Sequence, residues 1–462
     1  MRAHVHSALF FILLASELPA AEPAAVDKYL AQQLEKRSIP GLSVAVIRNG
    51  KVELAKGYGS ASLELAVPAG PQTVYEIGSV TKMFTATAVL QQMEDGKLGL
   101  DDLVSRYVSG LPSGWSRVTL RHLLTHTSGI KSFTSVPKFQ KEVEKDYTPR
   151  ELVALVEGTP LEFLPGERWS YSNTGYALLG MVLEQVSGKP YGTLLEERIF
   201  RPLKMTSTRV NDRASIIKNR AAGYTLEQDK LQNPVPTRLS QAFGAGTLVS
   251  TVTDLALWDA ALSSEKLLKA SSLAQMWTPA RLADGSEATY GFGWGVNAVA
   301  KHRVLTHGGG ISGFGADFLR FPDDKVTVIV LMNTDSAPPE KIAAGVAALY
   351  LPDLAAADQP IADDDPATTA RLRAIYVEIT RGEGQAAFTP EAARAFYPER
   401  MKSWSSFLGQ QGELESFALL ETKANGGVTV RTYRVATKKF TASVLFSLTA
   451  QGKLADFAVH PE

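Results

Sequence analysis

The stretch 79–95 constrains this chain more than any other, because it is apolar around most of its circumference at helical spacing. Met83, Ala86, Leu90 and Met93 line one face, with Phe84 and Ala88 beside them. A stripe that wide predicts a helix buried inside a domain, with other elements wrapped around it. Gly96 is placed to stop it. Ser79 then stands near the N-terminus of a buried helix, where aligned peptide dipoles favour developing negative charge. Lys82, one turn on, shares its face, so the amine can reach the Ser79 hydroxyl. That pairing is one way to turn an alcohol into a nucleophile.

Ser-x-x-Lys alone decides nothing, since it also begins at Ser128, Ser135, Ser215 and Ser263. Breakers follow Ser128 (Gly129) and Ser135 (Pro137) and argue against a helical turn there. Ser263 reads as part of a solvated, lysine-bearing segment. Ser215 reads as helical but has no further support. Only Ser79 has a buried helix behind it.

Around this helix the chain reads as a sheet covered by helices. An amphipathic helix over 26–37 ends at Pro40-Gly41, and strands over 41–48 and 51–58 are joined by Asn49-Gly50, a pair suited to a tight hairpin turn. Residues 131–148 are polar and read as an excursion over one side of the domain. Two further core strands are expected at 318–321 and 326–332. The aspartates at 353, 358 and 363–365 lie among alanines and prolines, which reads as a linker over 352–366. Helices near 369–380 and 390–397 follow, then alternating stretches at 416–421, 428–435 and 440–448 and a last strand. That order predicts a small α+β domain over 367–462 without a catalytic cluster of its own.

Composition narrows the function. The formal net charge is zero and no dense Lys/Arg run exists, which removes the field a nucleic-acid partner requires. Arg2 and two histidines precede the apolar run 8–15, and small residues follow around Ala20 and Ala21. This reads as a secretory signal peptide over 1–21, too short to span a bilayer, with a buried first helix as the alternative. Nothing later resembles a membrane span, so the expected product is secreted or periplasmic, without a membrane anchor once the leader is removed. The absence of cysteine excludes a disulfide framework and a thiol nucleophile. His122 and His126 are spaced for a metal, but no glutamate or further ligand cluster accompanies them, and a helix end is the better reading. No cofactor is expected.

Two more stretches carry chemistry. Trp169-Ser170-Tyr171-Ser172-Asn173 follows the turn Pro165-Gly166 and precedes an apolar helix, so Tyr171 lies on a loop able to aim it into a cleft. Thr306-His307-Gly308-Gly309-Gly310 lets backbone approach a ligand closely and leaves N–H groups free to face it. A similar glycine loop occurs in α/β-hydrolases, but no Gly-x-Ser-x-Gly exists here and the loop follows the serine.

Together, Ser79-Val80-Thr81-Lys82, Tyr171-Ser172-Asn173 and His307-Gly308-Gly309 resemble the three motifs of serine β-lactamase-like hydrolases. Leu-Thr-His-Thr-Ser-Gly at 124–129, the stretch 244–251 and Tyr-Gly-Phe-Gly-Trp-Gly at 290–295 are similar to that superfamily too, and the order resembles that of class C β-lactamases, family VIII carboxylesterases and D-amino-acid peptidases. The resemblance implies an α+β fold over 22–351: a central antiparallel sheet flanked by helices, with a mostly helical lobe inserted. It implies that Ser79 is acylated, that Lys82 and Tyr171 share proton transfer with the base left open between them, and that Asn173, His307, Gly309 and Gly310 bind substrate. The N–H groups of Ser79 and Gly310 would form the oxyanion hole. His307 stands where β-lactamases usually carry lysine, and Gly308 lacks the hydroxyl beside it, so substrates bearing a carboxylate are less well served. The expectation is a carboxylic-ester hydrolase. The alternatives are a D-amino-acid amide or peptidoglycan-peptide hydrolase, a weak β-lactamase, and a non-catalytic ligand-binding relative.

Overall fold

The computed structural model describes residues 23–212, 214–235, 238–357, 359–425 and 427–461. The expected leader, 1–21, lies outside the described residues. Among these, no helix is long and apolar enough to cross a membrane.

The main sheet has seven antiparallel strands in the order Val67–Pro68, Lys51–Ser62, Gly41–Arg48, Val326–Met332, Phe314–Phe321, His302–Ile311 and Gly295–Val299. Asn49 and Gly50, at φ 51° and 73°, make the tight turn of the first hairpin, with Arg48 opposite Lys51. Period-two alternation divides the side chains between two cores. Leu42, Val44, Val46, Val328, Val330 and Met332 meet the helices Pro23–Lys36 and Pro339–Tyr350. Ala45, Ile47, Ile329 and Leu331 face the helical lobe on the other side. A sheet covered on both faces explains why Val326–Met332 is buried throughout and apolar at every position but Thr327.

Within the lobe, the helix Thr81–Glu94 is buried from Thr81 to Gln92. Phe84 packs on Trp258 and Phe200, with ring centroids at 4.3 and 5.7 Å. Two threonines on this helix bond to the elements packed around it. Thr81 Oγ1 accepts the Leu248 N–H at 3.1 Å, and Thr85 Oγ1 lies 2.7 Å from both the Tyr191 hydroxyl and the Gly244 carbonyl. The helix stops where expected, at Gly96 with φ 70°. Ser215, expected in a helix, lies in a bend in which its N–H bonds Asp212. Ser263 caps the end of the helix Val252–Leu262.

In the acidic stretch after Leu351, Pro352–Ala357 forms a short helix and Asp365 caps Pro366–Thr380 by accepting the Thr368 N–H at 3.0 Å. Beyond it, Leu414–Asn425, Val428–Thr437, Thr441–Leu448 and Leu454–Pro461 form a four-stranded meander with its own core, centred on Leu372, Tyr433, Val444 and Phe446. Besides the two expected helices, a third runs over Glu399–Gly409. Its pattern is hard to read in the sequence because few apolar residues, among them Met401 and Leu408, are buried from a serine-rich segment.

Candidate active site

Ser79 sits in a single 3₁₀ turn, Gly78–Val80, between the short strand Tyr75–Glu76 and the buried helix. The Ile77 N–H bonds the Leu248 carbonyl at 3.0 Å and fixes where the turn begins. Gly78 is at φ 47°, and a Cβ on it would lie 3.0 Å from the backbone N and O of Gly310. A Cβ on Gly309 would lie 2.0 Å from the Ile77 carbonyl and 3.2 Å from the Ser79 nitrogen. Glycine is required at both positions for the strand His302–Ile311 to run against the serine turn.

Lys82 is fully buried and its amine meets three oxygens: Ala245 O at 2.7 Å, Asn173 Oδ1 at 2.8 Å and Ser79 Oγ at 3.0 Å. The first two can only accept, because the Asn173 amide nitrogen is turned to Thr134. A neutral amine has two N–H bonds, which these oxygens take, leaving its lone pair toward Ser79. Burial holds the Lys82 pKa well below that of a free lysine. The rings of Tyr171 and Tyr176 lie 4.8 and 5.4 Å from the amine and favour its cationic form. Such a contact is worth about 2 kcal/mol or more when desolvated, against a desolvation cost of several kcal/mol for a buried ion. The net shift for Lys82 is downward, toward the neutral amine.

Tyr171 lies two residues before the helix Asn173–Ser187. Burial raises its pKa, while the Ser79 hydroxyl acts as a hydrogen-bond partner that lowers it. The net effect is upward, so Tyr171 stays a phenol. Behind it is His126, whose ring centroid is 4.2 Å from that of Tyr171 and whose Nδ1 accepts the Ser172 N–H at 3.1 Å. His122 is separate: its Nδ1 accepts the Thr119 N–H in a helix cap.

His307 differs from its expected role as a substrate contact. Its Nδ1 lies 2.7 Å from the Gly308 carbonyl, which can only accept, so the ring proton is on Nδ1. Nε2 therefore accepts from the Tyr290 hydroxyl at 2.8 Å. Both nitrogens are occupied within the protein, and the ring presents no polar edge to a ligand. Burial, and then the charge Lys82 would carry, pull its pKa down to about 3. His307 is a neutral strut between Tyr290 and the glycine strand.

Residues 26–351 match the family model described as Beta-lactamase. The chain belongs to the beta-lactamase family. Penicillin-binding protein 4* of Bacillus subtilis (strain 168) is 31% identical over 316 residues, covering 65% of this chain and 69% of that one. The putative penicillin-binding protein PbpX of the same strain is 35% identical over 262 residues, and the match spans 56% of this chain and 63% of PbpX. Among solved structures, a D-stereospecific amidohydrolase from Streptomyces sp. is 30% identical with a TM-score of 0.62, covering 72% of this chain and 99% of its own. The octameric penicillin-binding protein homologue from Pyrococcus abyssi shares the fold over 95% of this chain and 98% of its own, at 24% identity and a TM-score of 0.64.

In this beta-lactamase-family chain, Ser79, Asn173 and Gly310 open onto a cavity of about 360 Å³. Phe133, Phe139, Val143 and Ile311 supply apolar walls, Gln140 and Gln241 supply amides, and no lining residue is charged. The polar excursion 131–148 thus forms one side of the pocket. Gln241 fastens it by donating to the carbonyls of Glu142, Val143 and Lys145. Ala245, His126 and Tyr290 also belong to the site, though nothing in their stretches of sequence marks them for it. A carbonyl carries no signal, and a buried histidine or tyrosine has the same letter as an exposed one.

Proposed function

We propose that this protein is an exported serine hydrolase that cleaves uncharged carboxylic esters through an acyl-Ser79 intermediate. The observation that carries the ester reading is His307. A neutral imidazole, bonded on both sides within the protein, stands where a fixed cation would select a substrate carboxylate. The uncharged pocket lining supports the same preference.

Lys82 accepts the Ser79 proton as Oγ attacks the ester carbonyl carbon. The Ser79 and Gly310 N–H groups hold the resulting oxyanion, donors typically worth about 3 kcal/mol each. The tetrahedral intermediate collapses with cleavage of the bond to the leaving oxygen, which takes the Tyr171 proton. The Lys82 proton then passes to the tyrosinate, which restores both groups. Water then repeats the sequence on the acyl-enzyme and releases the acid. A phenol kept protonated by burial suits the donor role, and a dry amine suits the base role.

A second reading, hydrolysis of D-amino-acid amides or peptides, is favoured by the likeness to the Streptomyces amidohydrolase. The test is a panel of p-nitrophenyl acetate and butyrate, nitrocefin and a D-alanyl dipeptide, with Ser79→Ala as control. The expected result is Ser79-dependent turnover fastest on the esters. Faster turnover of nitrocefin or the dipeptide would overturn the ester preference, and full activity in Ser79→Ala would overturn the site. Export is tested by finding the mature N-terminus near residue 22 outside the cytoplasm.

A further inference from the structure

We propose that His126 is the positioning residue for Tyr171, holding the backbone N–H groups of its two neighbours, Ser170 and Ser172, and backing its ring. The inference rests on the ester-hydrolase reading and adds a residue that touches no reacting atom. The His126 backbone carbonyl accepts the Ser170 N–H at 2.9 Å, and its Nδ1 accepts the Ser172 N–H at 3.1 Å. One residue thus binds the N–H of the residue before and of the residue after Tyr171 while its ring lies against the phenol, tilted by 39°. Three contacts from one residue fix the position, direction and plane of the tyrosine.

Two further observations separate this from an ordinary core histidine. His126 adopts φ 59°, a left-handed conformation uncommon for a residue with a Cβ. Because Nδ1 accepts, the ring proton is on Nε2, and that nitrogen is buried without a partner. The rings of Tyr176, Tyr290 and Trp169 surround the imidazole, with centroids 5.1, 4.7 and 6.2 Å from its own. A phenylalanine would fill the same space without burying an unpaired donor. What the imidazole adds is the bond from Nδ1 to the loop that carries Tyr171.

The test is a double-mutant cycle with an alkyl ester such as ethyl butyrate, whose leaving group needs a proton. His126→Phe keeps the ring and loses the acceptor. His126→Asn loses the ring but tolerates positive φ and offers an oxygen in place of Nδ1. We expect kcat to fall about 100-fold in His126→Phe and about 10-fold in His126→Asn, with KM within about two-fold of wild type, as for a misplaced catalytic group. In a Tyr171→Phe background both losses shrink to less than about two-fold, because the group being positioned is gone. Equal losses in both backgrounds, or an unchanged kcat in His126→Phe, would overturn the proposal. Hydrogen exchange over 168–173 provides a readout independent of activity. The Ser172 amide, protected in wild type, exchanges faster in His126→Phe, and unchanged protection also overturns the clamp. A wild-type enzyme inert toward esters would defeat the proposed function while leaving this second readout decisive.

Discussion

Asp317 permits a quantitative test of how dry the interior beside the glycine strand is. It stands opposite Gly308 across the strand pair, 2% exposed, with Thr306 donating to Oδ1 at 3.2 Å and Oδ2 without a partner. Burial, and then the charge of Glu340, push its carboxyl from 3.8 up to about 8. The folded protein therefore keeps a proton that the unfolded chain releases. The stability this group contributes is fully present below 3.8 and is lost as pH rises to about 8. Within that window each pH unit is worth about 1.4 kcal/mol, so going from about pH 5 to about pH 7 costs about 3 kcal/mol through Asp317 alone. Asp317→Asn keeps the shape and removes the titration. Any cost of its amide donor is the same at every pH. The difference in unfolding free energy between variant and wild type should thus move in the variant's favour by about 3 kcal/mol over that range. Urea unfolding followed by tryptophan emission measures it, since Trp294 packs on Phe318, the next residue, at 5.6 Å. A difference that stays constant with pH would refute the buried, protonated carboxyl.

Lys82→Met fills similar space without a base, and kcat on esters should fall about 1,000-fold, measured under saturating substrate. Because catalysis needs the neutral amine, the acid limb of the wild-type kcat/KM profile should inflect well below the free-lysine value, the direction in which burial moves Lys82. Inflection near about 10.4 would contradict the neutral-amine assignment. Tyr171→Phe should slow alkyl esters far more than p-nitrophenyl esters, whose leaving group departs without a proton; equal losses would remove Tyr171 from leaving-group protonation. Gly309→Ala places a Cβ 2.0 Å from the Ile77 carbonyl and must force the strand from the serine turn. Fluorophosphonate labelling of Ser79 should slow about 100-fold, and an unchanged rate would contradict the close approach.

The parts of this molecule legible in the sequence were those whose physics is periodic or punctuated. The wide apolar stripe marked Thr81–Glu94, and Asn49-Gly50 and Gly96 marked a turn and a helix end. The helix Glu399–Gly409 was not legible, because its stability comes from tertiary packing of a few side chains rather than from a strong stripe. At the site, Ser79, Lys82, Tyr171 and Asn173 are brought together as their motifs suggested. The state of each group was not legible. Whether His307 carries charge depends on the Gly308 carbonyl and the Tyr290 hydroxyl, contacts that no spacing rule reports.

These contacts alter how the base is made. A lysine can be discharged by a neighbouring cation or by removal from water, and the two leave different signatures in the surrounding residues. Here the cause acting on Lys82 is burial. Its titratable neighbours His126 and His307 are themselves pushed toward neutrality, by burial first and then by the charge Lys82 would carry. A fixed cation at position 307 would lower the Lys82 pKa by repulsion and at the same time offer an anchor to an anionic substrate. A neutral histidine supplies neither, so base activation and carboxylate recognition are given up or kept together at this one position. The enzyme keeps its base only because the helix Thr81–Glu94 is enclosed along nearly its whole length. That enclosure is the property by which residues 79–95 first stood out in the sequence. The feature that organises the fold is therefore also what keeps the Lys82 amine neutral.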